Sequence, residues 1–164
     1  MRAVLQRVDW AAVSVSGAEI ARIGKGILAL VGIARDDSRE DMEWTARKIT
    51  ELRIFDDPEG KLNLSLLDIG GQLLIVSQFT LYGDCRKGRR PSYSEAAPPA
   101  QAQQMYREFI EMARRWIPGV QSGQFQAMMD VSLQNSGPVT LILDSRQTFY
   151  TQRHKCSTKT SVNR

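Results

Sequence analysis

The sequence predicts a mixed α/β domain, a mixed β-sheet covered by helices on one side, and three observations carry that prediction. Segments near both ends alternate apolar and polar residues with period two. Two central stretches repeat apolar residues at helical spacing. Strand and helix patterns follow one another without regular alternation and without internal repeats.

Residues 2–8 place Val4, Gln6 and Val8 on one side and Ala3, Leu5 and Arg7 on the other, and residues 12–16 alternate again more briefly. Both read as strands. After Gly17, Ile20 and Ile23 continue the alternation, and Gly24, Lys25 and Gly26 read as a hairpin turn into the buried-strand run "ILALVGI". "GKGILA" imitates a dinucleotide fingerprint, but that motif must open a helix, and Ile27, Leu28, Leu30, Val31 and Ile33 form a strand pattern instead.

Ser38 with Asp41 is a capping-box variant, and Met42, Ala46, Ile49 and Arg53 share a face with Thr45 and Leu52 beside them, which predicts the first helix. The acids Asp36, Asp37, Glu40 and Asp41 complement the dipole at its start and need no catalytic role. Asp56 and Asp57, in "IFDDPEGKLN", read as loop residues rather than a glycosidase-type carboxylate pair. Residues 73–82 read as a strand, followed by a basic loop through Pro91. Pro98 and Pro99 precede a second helix whose stripe is Ala102, Met105, Tyr106, Phe109, Met112, Ala113 and Trp116. Met129, Val131 and Leu133 alternate with Asp130, Ser132 and Gln134, and "NSGP" then turns the chain into residues 139–143, giving two late strands with a tight connection.

At 164 residues and 42% hydrophobic content the chain fits one domain, residues 1–146, with a basic, disordered tail at 147–164. The longest apolar run, residues 27–33, is far short of the roughly 20 residues of a membrane helix, and no signal-peptide block opens the chain, so the expected address is the cytoplasm. Cys85 and Cys156 lie in a basic loop and a polar tail and read as surface thiols. The net charge is +4, and the tail holds Arg153, Lys155, Lys159 and Arg164 with no acid, which leaves residues 1–146 neutral. RNA contact by the body would rest on Arg86, Lys87, Arg89 and Arg90; the tail is a second, weaker candidate for an RNA-contacting arm.

Ser77 and Thr80, in "VSQFTLYGD", are candidate nucleophiles, but the single histidine, His154, is in the tail, so a Ser-His-Asp triad within the body is excluded by composition, although a lysine or an N-terminal amine could serve as base in principle. Walker A, His-Glu-x-x-His and zinc-ligand spacings are all missing. Residue chemistry alone identifies no reaction.

"VSQFTLYGD" followed by "KGRRPS", and then "FQAMMDVSLQNSGPVT", resemble the motifs of the D-aminoacyl-tRNA deacylases (the D-tyrosyl-tRNA deacylase family), in order and across nearly the whole body. Ser136 stands where the family commonly has Asp, which bears on local turn hydrogen bonding. The resemblance implies layered β-sheets forming a barrel-like core with helices packed on one side, and a hydrolase of the ester joining a D-amino acid to the terminal ribose of tRNA. It implies no cofactor and no metal. It further implies a homodimer with active sites at the subunit interface: Ser77, Gln78, Phe79 and Thr80 form the catalytic pocket, and Gly137 and Pro138 reach into it from the partner. A ribose hydroxyl of the RNA is implied to assist the attacking water, which would explain a hydrolase without a usable histidine.

Physical reasoning is consistent with such a filter. Glycine lets backbone approach a ligand closely, and an X-Pro bond turns cis for about 0.5–1 kcal/mol, so the pair can aim two carbonyls together. An L-residue would direct its side chain into that gauge, whereas a D-residue points away and glycine has nothing to reject. By the same resemblance Phe125 and Met129 pack the terminal adenine and Arg7 holds the Gly-Pro loop. Two rival functions stand beside this one: a non-catalytic RNA-binding module, drawing on the basic loop and tail, and a metal-dependent hydrolase using the scattered acids.

Overall fold

The computed structural model describes residues 1–148; the tail expectation falls outside them, apart from its first two residues. The chain forms β1 (Arg2–Val15), β2 (Ala18–Ile23), β3 (Gly26–Gly32), α1 (Arg39–Glu51), β4 (Phe55–Asp56), β5 (Leu62–Leu64), β6 (Gln72–Ser77), α2 (Pro99–Arg114), β7 (Val120–Ser122) and β8 (Asp130–Asp144). The main sheet runs β2-β1-β3-β6-β7, with β8 also paired to β1. β1 is antiparallel to β2, β3 and β8, whereas β3–β6 and β6–β7 are parallel, so the sheet is mixed. Contacts of β2 with β6 and β7 curl it into a nearly closed barrel.

Continuous apolar runs in β3 and β6 follow from burial on both faces. Ile27, Ala29, Val31, Leu73 and Ile75 face the main core with Met42, Ala46 and Ile49 of α1 and Tyr106, Phe109 and Ala113 of α2. Leu28, Leu74 and Val76 point the other way, into a second cluster with Val8, Ala11, Val13 and Ile23. The expected helix start is present: Ser38 Oγ accepts from Asp41 N–H and Asp41 Oδ2 accepts from Ser38 N–H at 2.8 Å.

Several expectations need correcting. The two early strands are one, β1, because a register shift between Val8 and Trp10 turns the buried face over: Ala3 and Leu5 face the helices, Ala11 and Val13 the second cluster. Gly24–Gly26 is not a hairpin, since β2 and β3 run in the same direction along one edge of β1, pairing with its residues 11–15 and 2–8 in turn while β8 takes the other edge. Helix α1 ends at Glu51, leaving Arg53 exposed and donating to the Asn63 carbonyl at 2.6 Å. Asp36 and Asp37 precede α1 and pair with Arg146 rather than with the helix N-terminus. Asp56 belongs to a strand, β4, in a small separate hairpin with β5. Trp116 lies beyond α2 and is 39% exposed.

The two late strands are also one. Val8 pairs with Asn135 but Gln6 pairs with Thr140, so a single β1 residue, Arg7, faces four residues of β8. Residues 136–139 leave the ladder as a wide bulge without reversing the chain.

Candidate active site

The strand expected over residues 73–82 stops at Ser77. Gln78 N–H closes the ladder on the Val31 carbonyl at 2.8 Å, and Phe79–Tyr82 then turn as a 3-10 helix. Gly32 makes this turn possible: a Cβ there would lie 3.0 Å from the Gln78 carbonyl oxygen and 3.1 Å from Leu81 Cβ. From below, Arg2 Nη1 donates to the Leu81 carbonyl at 3.0 Å while its guanidinium lies 4.6 Å from the Tyr82 ring centre. The turn's first internal bond is Leu81 N–H to the Gln78 carbonyl, so the leading N–H groups, on Phe79 and Thr80, have no partner within it.

On that turn Phe79 is 56% exposed and meets the Tyr93 ring edge-on at 5.0 Å. Ser77 and Gln78 are half-buried and Thr80 is exposed. The Gln78 side-chain amide donates a short hydrogen bond to Thr80 Oγ. An amide takes no proton from a hydroxyl, so the geometry supplies Thr80 with no general base.

Phe125 and Met129 flank the same end of β6. Phe125 tilts against Tyr106 at 5.9 Å, and the Tyr106 hydroxyl donates to the Ile75 carbonyl at 2.8 Å, which Gly123 N–H also approaches at 2.9 Å. Both side chains pack on core clusters while remaining part-exposed, Phe125 on the main one and Met129 on the second. Met128 between them is 90% exposed. Burial pushes the Tyr106 phenol far above its usual value, so it acts as a neutral donor.

The Gly-Pro loop lies elsewhere. Arg7, 8% exposed, donates from Nε to the Ser136 carbonyl at 2.9 Å and from Nη1 to the Ile54 carbonyl at 2.9 Å and Asp56 Oδ2 at 3.2 Å. Gly137 has φ of +121°, the Gly137–Pro138 bond is cis, and both residues are exposed. Ser136 holds the loop through its main-chain oxygen, so its departure from the family pattern leaves this contact intact. Asn135 does the rest, accepting Val139 N–H at 2.9 Å and donating to Thr140 Oγ at 3.1 Å. Sequence reasoning missed Asn135 and Asp56; an Asn before Gly-Pro was a readable signal, whereas Asp56 joins Arg7 across 49 residues and carries none.

Sequence reasoning therefore named two groups that one chain keeps apart. Ser77 is level with Val31 and Ala3 across the sheet, whereas the loop is level with Arg7. Three strand spacings and four residues of β1 separate them, roughly 13 Å along the strand direction alone. The basic loop, 83–92, follows the 3-10 turn. Its Arg86 is neutralised by Asp84, at 2.7 Å, while Lys87, Arg89 and Arg90 are exposed. Cys85 is an exposed free thiol.

A nearly closed mixed barrel with a pre-formed Ser-Gln-Phe-Thr turn at one level and a cis Gly-Pro bulge at another defines the class. Residues 4–144 match the family described as D-Tyr-tRNA(Tyr) deacylase, and the chain belongs to that family. It is 58% identical over 149 residues to the D-aminoacyl-tRNA deacylase of Thermosipho africanus, covering 91% of this chain and 100% of the relative. The D-aminoacyl-tRNA deacylase of Bacillus velezensis is 56% identical over 147 residues, with 90% and 100% covered. Among solved structures, "c-Myc DNA Unwinding Element Binding Protein" superposes with TM-score 0.84 at 41% identity, covering 88% of this chain and 98% of that one. A second, titled as a probable eukaryotic D-amino acid tRNA deacylase, has TM-score 0.74 at 20% identity, with 87% and 97% covered, and speaks for the fold.

Proposed function

We infer that the protein, a D-aminoacyl-tRNA deacylase by family, hydrolyses the D-aminoacyl ester of tRNA in a pocket that two copies of the chain complete. The observation that carries this reading is the separation just described. The turn and the Gly-Pro loop are each held by their own hydrogen bonds, each is exposed, and β1 keeps them apart in one chain. A two-fold dimer brings one chain's loop to the other's turn, and the same contact repeats by symmetry, so one interface yields two sites.

In such a site the N–H groups of Phe79 and Thr80, which have no partner within the turn, face the acyl group and stabilise the oxyanion as water adds to the carbonyl carbon. The proton lost by water passes, with help from the vicinal ribose hydroxyl, to the departing ribose oxygen. Free D-amino acid and tRNA result. Ser77, Gln78 and Thr80 shape the pocket rather than attack, in keeping with the Gln78–Thr80 bond. The partner's Gly137 and Pro138 exclude an L side chain and have nothing to reject in glycine, so glycyl-tRNA is a substrate too. Phe125 and Met129, part-exposed beside the turn, receive the terminal adenine. The proposed address is the cytoplasm, the compartment of the tRNA substrate; among the described residues no helix is long and apolar enough to cross a membrane.

The test is incubation with D-Tyr-tRNA, L-Tyr-tRNA and Gly-tRNA, with and without a chelator. Cleavage of the first and third that the chelator does not touch supports the reading. Equal cleavage of the L ester, or loss with chelator, contradicts it.

A further inference from the structure

We propose that Tyr93, together with the outer face of Phe79, is a stacking ledge for the nucleobase that precedes the terminal adenosine of tRNA. This rests on the tRNA-ester reading above and extends the site by one nucleotide. The first observation is exposure. Phe79 is 56% and Tyr93 39% exposed, yet the two rings touch, edge-on with centres 5.0 Å apart. An edge-on pair leaves each ring at least one face that the other does not cover, and large aromatic faces held in water mark a surface that a ligand covers. An unpaired base has the shape for it. Stacking needs a free ring face and no particular hydrogen bond, and it is the usual way in which single-stranded RNA is held.

The second observation is how firmly the ring is presented. Asp84 N–H donates to the Ser92 carbonyl at 2.7 Å and Ser92 N–H to the Asp84 carbonyl at 3.0 Å, which closes the basic loop at its base and delivers the chain to Tyr93. Beyond the ring, Ala96 N–H donates to the Tyr93 carbonyl at 3.1 Å, Ala97 N–H to the Ile33 carbonyl at 2.9 Å and Arg35 N–H to the Glu95 carbonyl at 3.1 Å, so the backbone is tied down on both sides. Gly83 makes room for the ring, since a Cβ there would lie 3.2 Å from Tyr93 Cε1. The third observation is position. Residues 33–35 follow β3, so the segment of Tyr93 stands on the β3 side of the 3-10 turn, whereas Phe125 follows β7 on the other side. An adenine at Phe125 and a second base at Tyr93 straddle the turn, with the ester between them. Charge completes the fit. Lys87, Arg89 and Arg90 are exposed on the loop that ends at Tyr93, and a base on the ledge brings its own phosphates to that loop. Cations for the backbone beside a ring for the base are the two parts of a single-strand site.

The test is a cycle of binding measurements with uncharged tRNA, intact or abasic at the position before the terminal adenosine, against the unaltered chain, Tyr93→Phe and Tyr93→Leu. Loss of stacking on one aromatic side chain weakens binding by roughly 5- to 150-fold. Tyr93→Leu and the abasic change should each fall in that range, Tyr93→Leu should make no difference to the abasic tRNA, and Tyr93→Phe, which keeps the ring, should recover the binding. Because stacking releases no counterions, the slope of log K against log salt should be the same in Tyr93→Leu, unlike loss of a loop cation. In deacylation assays the loss should fall on KM. Factors that multiply, equal binding of intact and abasic tRNA by the unaltered chain, a flattened salt slope, or dissociation of the dimer in Tyr93→Leu would each overturn the proposal. The last result would mean that a second copy of the chain covers the ledge. The abasic arm uses the unaltered chain and decides the matter even if Tyr93→Leu does not fold. Absence of D-aminoacyl-tRNA cleavage by the unaltered chain overturns the functional reading instead, so the two failures are distinct.

Discussion

Replacing Arg7 with Met keeps an unbranched apolar stem in a buried site and removes every donor. Two hydrogen bonds to backbone carbonyls are lost, at Ser136 and Ile54, together with the ion pair to Asp56, whose side chain is 51% exposed. Bonds from a charged donor contribute about 1.5–3 kcal/mol each. The half-exposed ion pair adds less than about 1 kcal/mol, and relief of guanidinium desolvation offsets part of the whole. A net loss of about 2–3 kcal/mol should lower Tm by roughly 5–10 °C. The loop effect is separate from the stability effect. With nothing beneath the Ser136 carbonyl, the Gly-Pro pair loses its position and the ratio of kcat/KM for D-Tyr-tRNA over L-Tyr-tRNA should fall at least about tenfold, equivalent to about 1.4 kcal/mol. Arg7→Lys should recover only part, since one ammonium cannot span both carbonyls. Thermal melts and paired deacylation assays at a temperature where all variants are folded decide it. A variant that melts lower yet keeps its D/L ratio would show that Arg7 only ties β1 to Ile54, and the loop-holding argument would be refuted.

Thr80→Ala removes one neutral hydrogen bond and should slow turnover by about tenfold or less, without abolishing it; a covalent aminoacyl ester trapped on Thr80 would restore nucleophilic catalysis. A substrate lacking the terminal 2′-hydroxyl should be hurt more than Thr80→Ala hurts the enzyme, and normal cleavage of it would remove the RNA from the mechanism. Lys87→Gln, Arg89→Gln and Arg90→Gln should each flatten the salt dependence of tRNA binding, whereas Arg86→Gln should not, because Asp84 already neutralises it; equal effects at all four positions would contradict this. Acid should loosen the clamp at the end of β8. Asp36 is held below the usual carboxylate range by Arg146; burial raises Asp144, but Thr148 and the Arg146 N–H outweigh it and hold it low. A folded pKa below the unfolded one means stability present above about pH 4 and lost as pH falls through the depressed values. Urea midpoints should therefore drop below about pH 4, less steeply in Arg146→Gln, and identical slopes would show the Arg146 pairing to be without effect.

Much of the fold was legible because burial and periodicity coincide. In β3 and β6 the unbroken apolar runs announce burial on both faces, and in α1 and α2 the spacing of Met42, Ala46, Ile49, Tyr106 and Phe109 marks the face that reaches the main core. What failed is pairing, which local sequence does not encode. Residues 24–26 have turn chemistry, yet the strands they join run one after the other along the same edge of β1. "NSGP" also has turn chemistry, but long-range pairing of β1 on both sides of the loop converts a turn into a bulge. The candidate site followed the same division. Its two motifs were readable as strings, but their separation within one chain required the register. A methyl group on Gly137 would meet the Arg7 Nη2 nitrogen at 2.6 Å and occupy a positive φ. Gly137→Ala thus disables the loop by displacing its own support, and loss of activity in that variant alone says nothing about contact with substrate.

It remains a clean way to make a chain whose loop is dead and whose turn is intact. The most direct test of two-chain assembly mixes Gly137→Ala chains with Gln78→Ala chains and isolates the heterodimer with distinct affinity tags. If the loop of one chain serves the turn of the other, one of the two sites combines a normal turn with a normal loop, and the heterodimer should recover about half the activity of the unaltered dimer, while each parent homodimer stays well below that. If each loop served its own chain's turn, both sites would carry a defect, and an isolated heterodimer with no activity would contradict the account.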